Sequence, residues 1–140
     1  MADDEDLLLL AEDLRAAVGG FVRRIRPFAT IPPGQASVLG YLDRTGSLSI
    51  AELARLDEVR HQSMTRTVNL LADRELVVVG PVDTDRRKVA VTITDRGRRQ
   101  LAEQRHTRAS VIAEALRSRL DEQELAIVSR IPGILGKIPG

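Results

Sequence analysis

Residues 85–97 read Asp-Arg-Arg-Lys-Val-Ala-Val-Thr-Ile-Thr-Asp-Arg-Gly. After Asp85 the run has three adjacent cations, and Val89, Val91 and Ile93 then alternate with other residues. This period of two predicts a half-buried β-strand over residues 88–93, and Thr94 suits the N-cap of a following helix. Arginine forms bidentate, charge-assisted bonds with phosphate. The stretch therefore predicts a strand that follows a basic loop and reaches a polyanion, for which the DNA backbone is the obvious candidate.

The residues before this run predict two short helices and a first strand. Ser49 and Glu52 fit a capping box, in which each side chain bonds the backbone N–H at the other position. A second helix over about 60–74 has an apolar stripe and an opposite face of polar residues, and a strand follows at 76–79. Two helices joined by a tight turn and followed by a hairpin are typical of a winged helix-turn-helix. The predicted stripe consists of Met64, Val68 and Leu71.

Further helices are predicted towards both ends of the chain. They cover residues 5–26, 33 or 34 to 43, about 95–120, and 121 onwards until Pro132-Gly133 breaks or kinks the last one; residues 134–140 are left unassigned. The first helix and the last two each carry an apolar stripe. Together these stripes present more apolar surface than a core of about 60 residues covers, which predicts pairing with a second copy. We expect one mainly α domain, 1–140, with a small β wing. Within it, 33–94 would form the winged helix-turn-helix, and 5–27 with 95–140 the dimerisation region.

Charge is distributed unevenly along the chain. The net charge is only +1, but residues 1–14 carry six acids and no base, whereas residues 86–99 carry six bases and one acid. Such a split is typical of a local polyanion-binding patch on a nearly neutral protein. The acidic start lacks the basic segment of a secretory signal, and no apolar run approaches the length of a membrane span, so we expect a cytoplasmic protein.

Composition excludes several kinds of chemistry. The chain has no cysteine, which excludes disulfides, thiol redox sensing and cysteine-ligated zinc. Its two histidines, His61 and His106, are too few and too far apart in sequence to indicate a metal site. No nucleophile–base pairing and no phosphate-cradling glycine motif is present. We therefore expect neither an enzyme nor a cofactor.

The run at 85–97 and the order of elements resemble the MarR family of bacterial transcription regulators. The wing motif of that family is Asp-x-Arg, five residues, Leu-Thr, two residues, Gly. This chain matches it from Asp85 to Gly97 with isoleucine in place of leucine. The turn at 57–60 lacks the family's usual glycine and its usual serine or threonine cap. The absence of cysteine excludes the peroxide-sensing branch.

The resemblance implies a set of DNA contacts. Arg66 matches a DNA-contacting arginine of the reading helix, and Arg87 matches the wing arginine that enters the minor groove. Asp85 would orient an arginine through a salt bridge. The full predicted set consists of Arg60, His61, Gln62, Ser63, Thr65, Arg66, Arg86, Arg87 and Lys88.

Each of these predictions has a simpler alternative. Arg66 could pair with Asp73 or another acid on the surface, and the basic hairpin tip could merely discourage edge-to-edge strand pairing. The family often binds small aromatic acids; Arg23, Arg24 or Arg26 could pair with such a carboxylate or be simply solvated, so no pocket is assigned. The leading hypothesis is a homodimeric repressor of a pseudo-palindromic operator, released by a small aromatic or anionic effector. The alternative is a winged-helix module that binds protein rather than DNA.

Overall fold

The computed structural model describes residues 3–82 and 85–139, and the side chains of all of these except 82 and 85–87. The chain forms two compact units: residues 29–106, and residues 1–28 together with 107–140. The helices are α1 (Asp4–Ile25), α2 (Pro33–Thr45), α3 (Ile50–Leu56), α4 (His61–Asp73), α5 (Asp95–Arg119), α6 (Glu122–Val128) and α7 (Ile131–Leu135), with a 3-10 turn at Arg26–Phe28. The strands are β1 (Val77–Val82) and β2 (Asp85–Ile93).

The unit of residues 29–106 contains the apolar core. Helices α2, α3 and α4 each turn one stripe inward, and the two strands and the start of α5 complete the core. Burying apolar surface is the main favourable term in folding, so this core fixes the position of the reading helix. The buried apolar residues are Ile31, Val38, Leu39, Leu42, Leu53, Ala54, Met64, Val68, Leu71, Leu76, Val77, Val91, Ile93 and Leu101.

The strands β1 and β2 form an antiparallel hairpin. Val77 pairs with Ile93 and Val79 with Val91, and an irregularity follows Pro81, where Val82 pairs with Asp85. Leu48 extends the pairing on the other side of β2 through two backbone bonds to Val91, of 2.7 and 3.1 Å. The backbone groups of Val91 are thereby paired with the segment before α3.

Helices α3 and α4 both end in a Schellman motif. After α3, the N–H of Glu58 donates to Arg55 and that of Val59 to Ala54. After α4, the N–H of Glu75 donates to Ala72 and that of Leu76 to Leu71. The motif requires a left-handed residue, which is usually glycine. Here both positions are glutamates, with φ of 54° at Glu58 and 61° at Glu75.

The unit of residues 1–28 and 107–140 is helical, and its described residues include none that is buried. Asp3 caps α1 by accepting from the N–H of Asp6 at 2.8 Å, and Asp121 with Glu124 forms a capping box at the start of α6. No residue of α1, α6 or α7 within the described part of the chain is buried in this single copy. Leu7, Leu8, Leu9 and Leu10 are each more than half exposed.

Several predicted boundaries were wrong. The strand predicted at 76–79 runs instead from Val77 to Val82, and β2 begins at Asp85 rather than at 88, so residues 85–87 belong to the strand and not to the predicted basic loop. The last helix breaks before Pro132, which lies in the first turn of α7, where its missing N–H costs nothing. The reading helix, the capping box of α3 and the buried stripe of α4 were predicted correctly. The dimerisation role assigned to 5–27 and 95–140 stays a prediction.

Candidate nucleic-acid interface

Helix α4 presents one face to the core and the opposite face to solvent. Met64, Val68 and Leu71 are buried on the inner face. With about 100° between successive residues, Gln62, Arg66 and Asn69 lie within about 60° of one another on the outer face, and all three are exposed. Core packing therefore determines which side chains α4 can offer to a partner.

The start of α4 contains most of the predicted contact residues. Arg60 is the N-cap residue but makes no side-chain capping bond, and His61, Gln62 and Ser63 follow it in exposed positions. The first N–H groups of a helix lack intrahelical partners, and together with the helix dipole they favour an anion. The exposed Arg60 guanidinium adds a full positive charge there.

The hydroxyls of the threonines on α4 already donate hydrogen bonds within the helix. The Thr65 hydroxyl donates to the carbonyl of His61 at 2.9 Å, and the Thr67 hydroxyl to that of Ser63 at 3.1 Å. Both residues are half-buried. A direct base contact by Thr65 would therefore require this bond to be exchanged, whereas exposed Gln62 needs no such change.

Arg66 points away from the core without an acidic partner. It is exposed, and within the described part of the chain no salt bridge or hydrogen bond involves its guanidinium. The alternative pairing with Asp73 is therefore not formed. A guanidinium with all its donors free can bind guanine or phosphate in a bidentate manner.

The wing carries the remaining predicted contacts. Lys88 is exposed on β2, and the backbone of residues 85–87 belongs to that strand. The side chains of Asp85, Arg86 and Arg87 lie outside the described residues, so their roles stay predictions. The predicted contacts on α4 and in the wing belong to the same compact unit.

Thr94 caps α5 as predicted, and it also anchors the base of the wing, which sequence reasoning missed. The Thr94 N–H donates to the carbonyl of Leu76 at 3.0 Å, and its hydroxyl donates to Glu75 at 2.7 Å. The same hydroxyl accepts from the N–H of Gly97 at 3.0 Å. A Cβ at Gly97 would overlap the Leu76 carbonyl oxygen and would lie 2.8 Å from Cγ1 of Ile93. The Thr-x-x-Gly end of the wing motif therefore joins the base of the wing to the start of α5. The spacing of the motif could have indicated this structural role.

A second set of polar bonds holds the end of α4. The Arg74 guanidinium donates to Gln35 on α2 at 3.1 Å and to Gln100 on α5 at 3.2 Å. Beside it, Arg96 pairs with Glu75 at 3.1 Å. These exposed hydrogen bonds link the end of α4 to α2 and α5, and no local sequence signal predicts them.

The helical unit contains a groove between α1 and α5. Its volume is about 370 Å³ and its lining is mostly apolar, with Arg24 and Arg119 as the charged members. Of the arginines suggested for an effector carboxylate, only Arg24 lines it, and Arg23 and Arg26 do not. The lining residues are Phe21, Arg24, Ile25, Phe28, Ile112, Ala115, Leu116, Arg119 and Leu120.

The described residues contain neither a metal-binding cluster nor a membrane-spanning helix. Among the described residues, no group of three or more histidine, aspartate or glutamate side chains could hold a metal ion. In that same part of the chain, no helix is both long and apolar enough to cross a membrane.

Comparison with known proteins identifies the family. A model of the MarR family matches residues 29–88. The chain is 34% identical over 110 residues to an HTH-type transcriptional regulator of Mycobacterium bovis, which covers 76% of this chain and 77% of that protein. This chain belongs to the MarR family. It is a transcriptional regulator of the MarR type, which confirms the predicted fold class and the prediction of a regulator rather than an enzyme.

Two further comparisons cover nearly all of this MarR-family chain. It is 26% identical to the HTH-type transcriptional repressor MdtR of Bacillus subtilis, over 91% of this chain and 86% of the other. Its structure matches that of a transcriptional regulator protein from Pseudomonas aeruginosa with a TM-score of 0.82 and 28% identity, covering 97% and 96% of the two chains. The likeness therefore includes the terminal helices as well as the winged helix.

Proposed function

We propose that this MarR-family regulator is a cytoplasmic, homodimeric repressor that binds a pseudo-palindromic operator. The observation that carries the proposal is the outer face of α4, where Gln62 and Arg66 are exposed and have no side-chain partner among the described residues. Each copy would place α4 in the major groove and its wing in the neighbouring minor groove. Two copies would then read half-sites about one helical turn apart, roughly 10 bp.

Homodimer formation is supported by the helical unit. Leu8 and Leu10 are 62% and 61% exposed in a single copy, and Ile127 and Ile138 at the other end of the chain are 62% and 61% exposed. Large exposed apolar patches mark interaction surfaces, and closed two-fold pairing is the commonest assembly of soluble proteins. A second copy would remove these side chains from water.

Repression and its release follow from this arrangement. A dimer seated on an operator that overlaps a promoter would exclude the polymerase, and the relative MdtR is named a repressor. A small aromatic or anionic effector would lower operator affinity by a coupling free energy of about 1–3 kcal/mol. Arg24 is the contact we propose for its carboxylate, because this arginine lines the apolar groove. Titration of the bound complex with benzoate tests this step; Arg24→Ala should weaken any release.

The DNA-binding proposal is tested by a binding series on the duplex that flanks the protein's own gene, with a scrambled duplex as competitor. Wild type should prefer the flanking duplex, and its affinity should fall steeply with salt as counterions are released from the phosphates. Arg66→Ala should weaken specific binding by about tenfold or more, because a good bidentate base contact contributes about 1–3 kcal/mol. Arg87→Ala should also weaken it, and neither variant should unfold.

Arg105→Ala is the matched control. Arg105 lies on α5 and already pairs with Asp43 at 3.2 Å, so its removal changes net charge equally without removing a free guanidinium from α4. Wild-type affinity in both Arg66→Ala and Arg87→Ala would overturn the assignment. If wild type shows no salt-dependent binding to duplex DNA and no preference for the flanking duplex, the result would instead favour the alternative, a winged-helix module that binds protein.

A further inference from the structure

The outer face of α4 carries a third polar side chain that the predicted contact set omits. Asn69 lies one turn beyond Arg66 and is exposed on the same stripe as Gln62. It is separated from Arg66 by about 4.5 Å along the helix axis, and successive bases on one DNA strand are about 3.4 Å apart. A base contacted by Asn69 would therefore lie within one or two base pairs of the Arg66 contact.

The Asn69 amide is free to bind a base. No hydrogen bond within the described part of the chain involves its side chain, in contrast to the hydroxyls of Thr65 and Thr67, which are bonded to helix carbonyls. A free amide offers one acceptor and two donor hydrogens at adjacent atoms. Adenine presents the complementary pair in the major groove, an acceptor at N7 and a donor at N6.

The stripe ends immediately after Asn69. Asp73, one turn further along the same face, is exposed and has no salt bridge among the described residues. A carboxylate without a cationic partner is repelled by phosphate, so it marks the limit of a surface that faces the duplex. The groove-facing stripe thus consists of Gln62, Arg66 and Asn69.

We infer that Asn69 determines sequence specificity by reading an adenine in each half-site of the operator. The inference rests on the proposed DNA-binding function and assigns one base to one side chain. Asparagine makes bidentate bonds to adenine N6 and N7, whereas an aspartate at the same place accepts from the N4 amino group of cytosine. Asn69→Asp should therefore change the preferred base, and Asn69→Ala should abolish the preference.

The experiment begins with selection of preferred duplexes from a random pool by wild-type protein. Each position of the selected half-site is then replaced by every other base, and affinities are measured for wild type, Asn69→Ala and Asn69→Asp. Wild type should discriminate for adenine at one position per half-site by about tenfold or more. In Asn69→Ala this ratio should approach one, and in Asn69→Asp cytosine should become the preferred base there.

Asp73→Ala is the matched control on the same helix face. Removal of this carboxylate should raise affinity for all duplexes alike and leave the base preferences unchanged. If Asn69→Ala keeps the wild-type preference at every position, the inference is overturned while the proposed function stands. If wild type selects no sequence, the proposed function falls and the inference falls with it.

Discussion

Gly97 shows how a single residue fixes the position of the wing. Its backbone N–H donates to Thr94, and its missing side chain leaves room for the carbonyl of Leu76. Because that neighbour is backbone at the start of the hairpin, it has little freedom to move aside. The wing motif's glycine is therefore required by packing.

Gly97→Ala should destabilise the protein by about 2–3 kcal/mol, since overpacking against backbone forces a shift of the whole joint. The change is measured as a lower urea midpoint by far-UV circular dichroism. Gly34→Ala is the control, because the Cβ it would add has no atom within 4 Å apart from its chain neighbours and the backbone of its own helix. Equal midpoints for the two variants would show that the joint tolerates a side chain.

At the scale of the element, the turn between α3 and α4 has a strained backbone. Glu58 occupies the left-handed position of a Schellman motif, at φ 54°, where glycine has no steric penalty. The usual glycine is absent from the sequence at 57–60, yet the turn keeps the backbone conformation that glycine would favour. The reading helix is consequently oriented by hydrogen bonds from Glu58 and Val59 despite an unfavourable side chain.

Glu58→Gly should stabilise the protein by about 1 kcal/mol, because it removes the clash of a Cβ in the left-handed region. Glu58→Ala keeps the Cβ and loses only an exposed carboxylate, so it should leave stability nearly unchanged. Thermal unfolding of the two variants separates backbone strain from charge. A glycine variant no more stable than the alanine variant would contradict the left-handed turn.

The helices and strands of residues 29–106 could be predicted from local sequence patterns. The hydrogen bonds that join distant elements of that unit could not. The apolar repeat of α4 and the capping box of Ser49 each involve residues only a few positions apart, so the sequence spacing reveals them. The bond from the Ile31 N–H to the buried Gln104 side chain, at 2.6 Å, joins residues 73 positions apart. Only the tertiary fold brings such groups together. Pro132 was misread because proline can begin a helix as readily as it ends one.

At the scale of the whole molecule, four consecutive leucines of α1 support the proposed pairing with a second copy. Successive helix positions differ by about 100°, so Leu7 to Leu10 point around the entire circumference. This one turn of α1 is therefore apolar on every side, and an apolar helix surface favours burial. We therefore expect the second copy to contact α1 on more than one side.

Leu8→Asp should raise the dimer dissociation constant by at least about tenfold, because it replaces a side chain whose burial contributes about 1.5–3 kcal/mol with a charge. Analytical ultracentrifugation over a concentration series measures the change. Leu56→Asp is the control, since Leu56 is a comparably exposed leucine of the winged-helix unit, at 48%. A wild-type protein that sediments as a monomer at all concentrations would contradict the homodimer.

The discontinuity of the helical unit has a consequence for biosynthesis. Residues 29–106 form one uninterrupted unit with its own core, whereas α1 belongs with segments that begin only at Thr107. At about 5–20 residues per second, the ribosome needs on the order of ten seconds to make the intervening chain. During that time α1 lacks the helical segments with which it forms its compact unit. The chain therefore completes its winged-helix unit before it completes the helical unit to which we assign dimerisation.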